Sequence, residues 1–515
     1  MAILRFAPSP TGPLHLGGLR MALYNHLYAR KHGGKWILRI EDTDMSRFVP
    51  GSVDGIRKAL SWAGLEYDYG PGKEGPHAPY FQAKRLDLYK TYAGKLLDSG
   101  HAYRCFCSPD TLAEAKTRLA RAGSSASYDR KCLHLTEEEV ARRVRAGEKN
   151  VVRFNATSLP SRPPTTDLIF GQLRDAHASL ATDPILLKTD LFPTYHLASV
   201  VDDHEMGVTT EWMPSLPLHL DLYAALKVPP PDFGHMPILL NPDGSKMSKR
   251  HGDVRVEDFM KRGWEPEAVL NWVLLSGWGV AHKDDATTPS ASSPTPAGTK
   301  PSSKDPSFVP DSTAIMNLRE MVNNFDLSAI THRNTILDPR KLEYMNKRHV
   351  LRRTTTPEGL HDAAAQIHDR IKDAFPLSPY TSIPIIAKTI TLLEGRLTNL
   401  YDVPAHAPYV FTDPKTESEE AKKMRVKVGD ETYHKVVSTV HAALEKTMQE
   451  HEWEDRTVIS SRLNEARTML GLGMKPLMQS LRCAVTGMED GPSIADIMSL
   501  IGRERTLERL AKAQT

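Results

Sequence analysis

Cysteine is scarce in this chain: there are four in 515 residues, and Cys105, Cys107 and Cys132 are crowded into one short stretch. Such a count excludes a disulfide scaffold and suits reducing conditions, while the crowding suits a metal site. No apolar run approaches the roughly 18 residues that read as a bilayer span, so no membrane crossing is expected. Neither sign of charge is in excess, since 66 Lys and Arg face 63 Asp and Glu for a formal +3. A nucleic-acid-binding face would have to come from local separation of charge. No apolar leader precedes the strand-like residues 3–7, and the expectation is that no signal or transit peptide is present. With 40% hydrophobic residues, the chain can build ordinary cores in two to four domains.

The first 44 residues hold the densest local signals. Residues 3–7 read as a short strand, Pro8 to His15 as a stiff turn, and Leu16 to Lys31 as a helix with Leu19, Leu23 and Leu27 on its apolar side and His26 and Arg30 on a wetter one. A second strand at 36–40 then completes a β-α-β unit, which places ligands at the C-terminal ends of its strands. Pro8, Pro10 and Pro13 fix φ in the turn, Gly17 and Gly18 clear room beside the backbone, and His15 can offer an imidazole donor to phosphate. Arg5 on the first strand and Glu41 past the second can reach one cleft. There they suit a zwitterionic acid, or equally a structural ion pair.

Farther along, helices are expected at 53–63 and 80–100, and a Gly/Pro/His loop at 69–79. Cys105, Cys107, Cys132 and His134 give C-x-C-x24-C-x-H, the spacing of a structural zinc knuckle, with buried thiols as the alternative. Strands are expected at Val151–Phe154 and 166–170, 185–188 is a further apolar run, and a helix or strand opens at Tyr195 and His196 and closes at Asp203 and His204. A helix at 212–226 precedes Lys246-Met247-Ser248-Lys249-Arg250. That run suits the neutralisation of growing phosphate charge, or else a plain basic surface loop. An apolar helical stretch at 259–277 is followed by 282–311, too rich in Ser, Thr and Pro to form a core. Beyond 311 the periodicity is helical throughout, at 341–346, Pro357–Ala374, 383–400, 417–425, 433–449, 458–470, 478–485 and 503–512.

Together these stretches resemble the class I aminoacyl-tRNA synthetases, in particular the bacterial-type and organellar glutamyl-tRNA synthetases, over essentially the whole chain outside 282–311. The resemblance is carried by the run from Arg5 to Gly18, by Arg39-Ile40-Glu41-Asp42-Thr43-Asp44, by Phe192 to His204 and by Lys246 to Arg250. It implies an α/β Rossmann-like catalytic domain in two halves (1–75 and 191–255) around an inserted acceptor-binding module (76–190). A stem-contact region (256–380) holding a disordered 282–311 insert and an all-helical anticodon-binding region (381–515) would follow.

The implied chemistry is attack of the glutamate α-carboxylate on the α-phosphate of ATP, then transfer of the glutamyl group to the terminal adenosine of tRNA(Glu). Relaxed specificity toward tRNA(Gln) and a catalytically impaired paralogue are the alternatives. By resemblance His15, Lys246 and Lys249 are catalytic. Pro8, His15, Gly17, Gly18, Lys246, Met247, Ser248 and Lys249 meet ATP, with Mg2+ on its phosphates. Arg5, Ala7, Ser9, Glu41, Tyr195 and Ser199 would hold L-glutamate, Arg396 would touch the tRNA anticodon, and Cys105, Cys107, Cys132 and His134 would hold one structural Zn2+. Two departures stand out: about five residues, including an arginine expected beside the glutamate carboxylate, are missing between Thr210 and Glu211, and Ser199 stands where the family often has asparagine. The further expectations are a monomer in the mitochondrial matrix, or in the cytoplasm for a bacterial source.

Overall fold

A computed structural model describes residues 2–162, 165–171, 182–211, 216–241, 243–245, 255–279 and 314–514. Lys246, Met247, Ser248, Lys249, Arg250 and the 282–311 insert therefore lie outside the described residues. The chain divides into two compact units, one of Met1–Lys261 with Val269–Asp338 and one of Arg262–Ala268 with Pro339–Thr515. The helices up to 380, expected in a stem-contact region, thus group with the C-terminal helices from Pro339 onward.

The first unit is organised by a parallel sheet. Strands β1 (Ile3–Phe6) and β2 (Lys35–Leu38) pair in register from Ile3 with Lys35 to Phe6 with Leu38, joined by helix α1 (Leu16–Lys31). A three-stranded antiparallel sheet, β3 (Ala102–Cys105), β4 (Val151–Phe154) and β5 (Ile185–Leu187), forms the inserted module. The chain then returns to the parallel sheet as β6 (Thr210–Glu211) and β7 (Asp232–Phe233), giving the order β2-β1-β6-β7. A last parallel pair, β8 (Leu239–Leu240) and β9 (Thr335–Ile336), is the short β element that helical periodicity after 311 did not foretell.

Strand β1 is central, so Leu4, Arg5 and Phe6 are all buried, which is how a strand of a covered parallel sheet reads. Helix α1 is buried nearly all round. His26, expected on its wetter side, is buried edge-on to Trp36, and burial drives its imidazole down to about 4, so it is neutral at pH 7. Arg30 does reach water, pairing with Asp68 at 3.0 Å.

Several boundaries move for tertiary reasons. The helix expected at 80–100 is Leu86–Asp98, because the preceding backbone pairs with the end of the β2 segment: Ile40 N–H donates to the Tyr80 carbonyl at 2.9 Å and Gln82 N–H to the Ile40 carbonyl at 3.1 Å. The strand expected at 166–170 is a turn in which the Asp167 carboxylate accepts from the N–H groups of Ile169 and Phe170 at 2.9 and 2.7 Å. The stretch 259–277 breaks at Gly263, φ +72°, into Val256–Lys261 and Pro266–Leu275. The segment from Tyr195 is a helix, Tyr195–Glu205.

The second unit is a helical array around one core that runs from Val350 and Ile367 through Tyr433 and Leu463 to Leu510. Its last helical span, Ile494–Lys512, is broken at Gly502, φ 81°, where left-handed backbone favours glycine, so the helix expected at 503–512 stands as the segment after the break and 494–501 is a further helix before it. No helix of the described residues is long and apolar enough to cross a membrane.

Candidate active site

Two cavities open where β1 and β2 end. The smaller, about 230 Å³, lies along the proline turn between Pro8, Gly12, His15 and Gly18. The larger, about 410 Å³, is walled by Glu41, Thr43, Arg47, Lys188 and Tyr195. Ser9 lines both.

His15 is the N-cap of α1. Its Nδ1 accepts the Gly18 N–H at 3.0 Å, so a neutral ring carries its proton on Nε2. The two glycines are explained by their neighbours. A Cβ on Gly18 would lie 2.7 Å from Leu14 Cδ1, and one on Gly17 would lie 3.1 Å from the His15 ring. Either side chain would move the ring or the leucine that shapes the smaller cavity. Pro8 and Pro10 anchor the turn through their carbonyls, which accept from Glu41 N–H at 3.1 Å and Val49 N–H at 3.0 Å. Backbone from the far side of the lysine run returns to this point: Val256 N–H donates to the Leu14 carbonyl at 2.9 Å, and Arg255 forms a bridge with His15.

The larger cavity gathers Ser9, Glu41 and Tyr195 from the expected glutamate set. Ala7 is half-buried after β1, while Arg5 and Ser199 lie outside the residues that line the cavity. Arg5 donates from Nε and Nη2 to Asp203 at 2.6 and 3.2 Å, and from Nη2 to Ser199 Oγ at 3.1 Å. Sequence reasoning missed its companion. Arg39, fully buried, donates to the same Asp203 at 2.6 Å, to Ser199 Oγ at 3.3 Å and to Glu41 at 3.4 Å. Asp202 completes the cluster by accepting from Arg85 Nε (2.7 Å), Tyr89 Oη (2.8 Å) and Gln82 Nε2 (3.0 Å). The missed signal was present in the acidic pair closing the 195–204 segment and in the arginine two residues before Glu41.

The cluster sets the electrostatics. Burial opposes charge on Arg39, but Asp203, Asp202 and Glu41 outweigh it, and the guanidinium is held charged more firmly than usual. Burial raises the Glu41 carboxyl above its ordinary range against the pull of Arg39 and Arg5. Tyr195 is pushed up to about 12, by burial first and the charge of Glu41 second, so it remains a neutral donor. Behind it His196 Nδ1 and His219 Nε2 lie 3.0 Å apart, both kept neutral chiefly by burial.

In the inserted module the sulfurs of Cys105, Cys107 and Cys132 lie within 4.8 Å of one another. His134, the expected fourth ligand, is exposed and does not join them. The group facing the thiols is the Tyr128 hydroxyl, 3.4 Å from Cys105 Sγ and 3.8 Å from Cys107 Sγ. Residues 131–134 form a single 3₁₀ turn, on which Cys132 is buried and His134 is exposed. In the second unit Arg396 is exposed and close enough to lower the half-buried Arg482 and the Tyr409 hydroxyl electrostatically, although burial dominates both shifts. Gly491 keeps that corner open, since a Cβ there would lie 2.9 Å from Arg482 Nη1.

Residues 2–300 match the family described as tRNA synthetases class I (E and Q), catalytic domain, and residues 360–514 match an anticodon binding domain. The glutamate–tRNA ligase of Chloroherpeton thalassium is 34% identical over 99% of this chain and 97% of its own length. That of Thermus thermophilus is 33% identical over the whole of both. Among solved structures, a glutamate tRNA ligase from Elizabethkingia meningosepticum, crystallised in complex with its amino acid, superposes with a TM-score of 0.83 at 29% identity, covering 100% of this chain and 99% of that one.

Asp203→Asn would leave two buried guanidiniums around a neutral amide, and the expected cost is about 3–5 kcal/mol, read as a lower chemical-denaturation midpoint. An unchanged midpoint would show that the cluster contributes no stability.

Proposed function

We propose a division of labour among its residues from one premise: this chain belongs to the glutamate–tRNA ligases, class I aminoacyl-tRNA synthetases that join glutamate to tRNA with cleavage of ATP. The observation that carries the division is the pair of cavities meeting at Ser9. Glutamate sits in the larger one with its ammonium on Glu41 and Tyr195 donating to a carboxylate. Its α-carboxylate faces Ser9, across which the α-phosphate of ATP lies along the His15 turn.

The substrate carboxylate is already ionised, so no side chain need act as its base. Its oxygen bonds to the α-phosphorus, the bond to the β-phosphate oxygen breaks, and pyrophosphate leaves. The Nε2–H of His15 donates to phosphate oxygens, and Lys246 and Lys249 take up the charge on the departing pyrophosphate. A terminal ribose hydroxyl of the tRNA then attacks the acyl carbon and AMP leaves. Arg5 and Arg39 act from behind the cavity wall, supplying positive potential to an acidic substrate while Asp203 fixes their position. Lys188 and Arg47 are further cations on the wall itself. They offer a carboxylate partner in a chain that lacks the expected arginine between Thr210 and Glu211. Magnesium accompanies ATP on its phosphates and on water. The described residues bring three or more candidate ligands together only at the cysteines.

Those cysteines fit zinc: three sulfurs share one locus and the Tyr128 oxygen supplies a fourth donor. The metal would tie β3 to the turn at Lys131–His134. Arg396 with Arg482 reads the anticodon, and since one chain holds both units, a monomer suffices. Charging of tRNA(Gln) as well, and residence in the mitochondrial matrix, are proposed on family resemblance and on the Ser/Pro-rich insert.

Three measurements bear on this division. Glutamate-dependent ATP–pyrophosphate exchange with tRNA present should be robust in the wild type and at least about a hundredfold lower in Lys246→Ala; no exchange in the wild type would favour an impaired paralogue. Because Glu41 must be ionised to hold the ammonium and its carboxyl is raised, KM for glutamate should climb as pH falls, beginning above the range of an ordinary glutamate. Glu41→Gln should flatten that profile, and a wild-type profile with no acid limb would remove Glu41 from the role. Elemental analysis should find one zinc per chain, lost in Cys132→Ser and kept in His134→Ala; zinc lost in the histidine variant would restore the spacing-based ligand set.

A further inference from the structure

We infer that Arg20 is a positioning residue for the ATP end of the active site, acting through the strand that leads into the lysine run. This rests on the assignment of Lys246 and Lys249 to the departing pyrophosphate. Arg20 lies in α1, five residues beyond His15, and is 2% exposed. Its Nη1 donates to the Pro237 carbonyl at 2.8 Å, and its guanidinium carbon stands 5.3 Å from the Tyr24 ring centroid. Among the described residues Nε and Nη2 have no acceptor and no carboxylate pairs with the guanidinium. The space is kept for it by Gly277, φ +109°, where a Cβ would lie 2.6 Å from Nη2 and 2.8 Å from Thr335 Oγ1 of β9.

A buried cation without a counter-charge is expensive, and one carbonyl bond does not offset its desolvation. An apolar side chain of similar length would fill the same space more favourably. The Pro237 bond and the Tyr24 ring contact only partly offset that cost, and the placement of the arginine gives it a further use. Pro237 is two residues before β8, and β8 leads through Asn241 and Ser245 to the lysine run. The other end of that run is tied to the same part of the molecule, through Val256 N–H on the Leu14 carbonyl. Both stems of residues 241–254 are thus fastened to the turn and helix that carry His15, the leading stem by Arg20 and the trailing one by Leu14. Sideways the leading stem is held by other bonds: His235 N–H and Nδ1 on Asp167 at 2.9 and 2.6 Å, and Ile238 N–H on Asn334 at 3.0 Å. Arg20 adds the connection between this stem and α1, the helix that His15 caps.

The test uses the full-length enzyme with tRNA, comparing wild type, Arg20→Met, Arg20→Lys and Lys246→Ala in glutamate-dependent pyrophosphate exchange and thermal melting. Arg20→Met should melt at or above the wild-type temperature, keep KM for glutamate within about twofold and lose about tenfold in kcat, the pattern of an interaction used in the transition state. Arg20→Lys should recover part of that loss. Wild-type kcat in Arg20→Met beside a depressed Lys246→Ala would overturn the inference alone, while wild-type exchange in Lys246→Ala would overturn the lysine assignment beneath it. An Arg20→Met protein that fails to fold, or that loses melting temperature in step with activity, would make Arg20 a stabilising residue and equally overturn the inference.

Discussion

One aspartate holding two arginines is the constraint on which the first unit depends. Asp203 accepts from Arg5 and Arg39 at 2.6 Å each, inside a sheet that would otherwise exclude both charges. With Arg85 there are three guanidiniums, and Asp202, Asp203 and Glu41 supply three carboxylates, so the buried cluster balances. The six members come from four pieces of chain: β1, the segment just after β2, the loop before Leu86–Asp98, and the helix Tyr195–Glu205. Burying ions is costly unless geometry and hydrogen bonds are satisfied together, so the cluster forms only when all four pieces are in register. In doing so it fixes where Glu41 and Tyr195 face the cavity.

What was legible in the sequence follows from how local each signal is. Helix Leu16–Lys31, strand Val151–Phe154 and helix Pro357–Ala374 are bounded by their own periodicity, prolines and caps, and they stand where the pattern put them. Residues 80–85 failed because their backbone partner, Ile40, lies some forty residues away just past β2, and no helical period reports that. His26 failed for a related reason: an imidazole reads as polar, but α1 is enclosed on nearly every side.

At the site, residue types were easier to find than their relations. The motif around Arg39 and the acidic pair at 202–203 were visible, yet nothing in their spacing says that one carboxylate serves two guanidiniums contributed by separate strands. Gly17 and Gly18 looked like clearance for a nucleotide. In the structure their nearest neighbours are the His15 ring and Leu14, so part of their purpose is to let the capping imidazole sit where it does. At the cysteines, counting residues selected His134, whereas the side chain lying against the thiols is the Tyr128 hydroxyl, a residue type that metal-spacing rules do not count.

Ser9 as the shared wall of two chambers has a consequence for molecules other than the substrates. Each chamber alone is modest in size, about 410 and 230 Å³. A single compound bridging them, an uncleavable mimic of the mixed anhydride, would surrender its translational freedom once and gain contacts on both sides. Its grip would then exceed what either fragment achieves, and the narrowness of the partition would dictate how short the bridge must be.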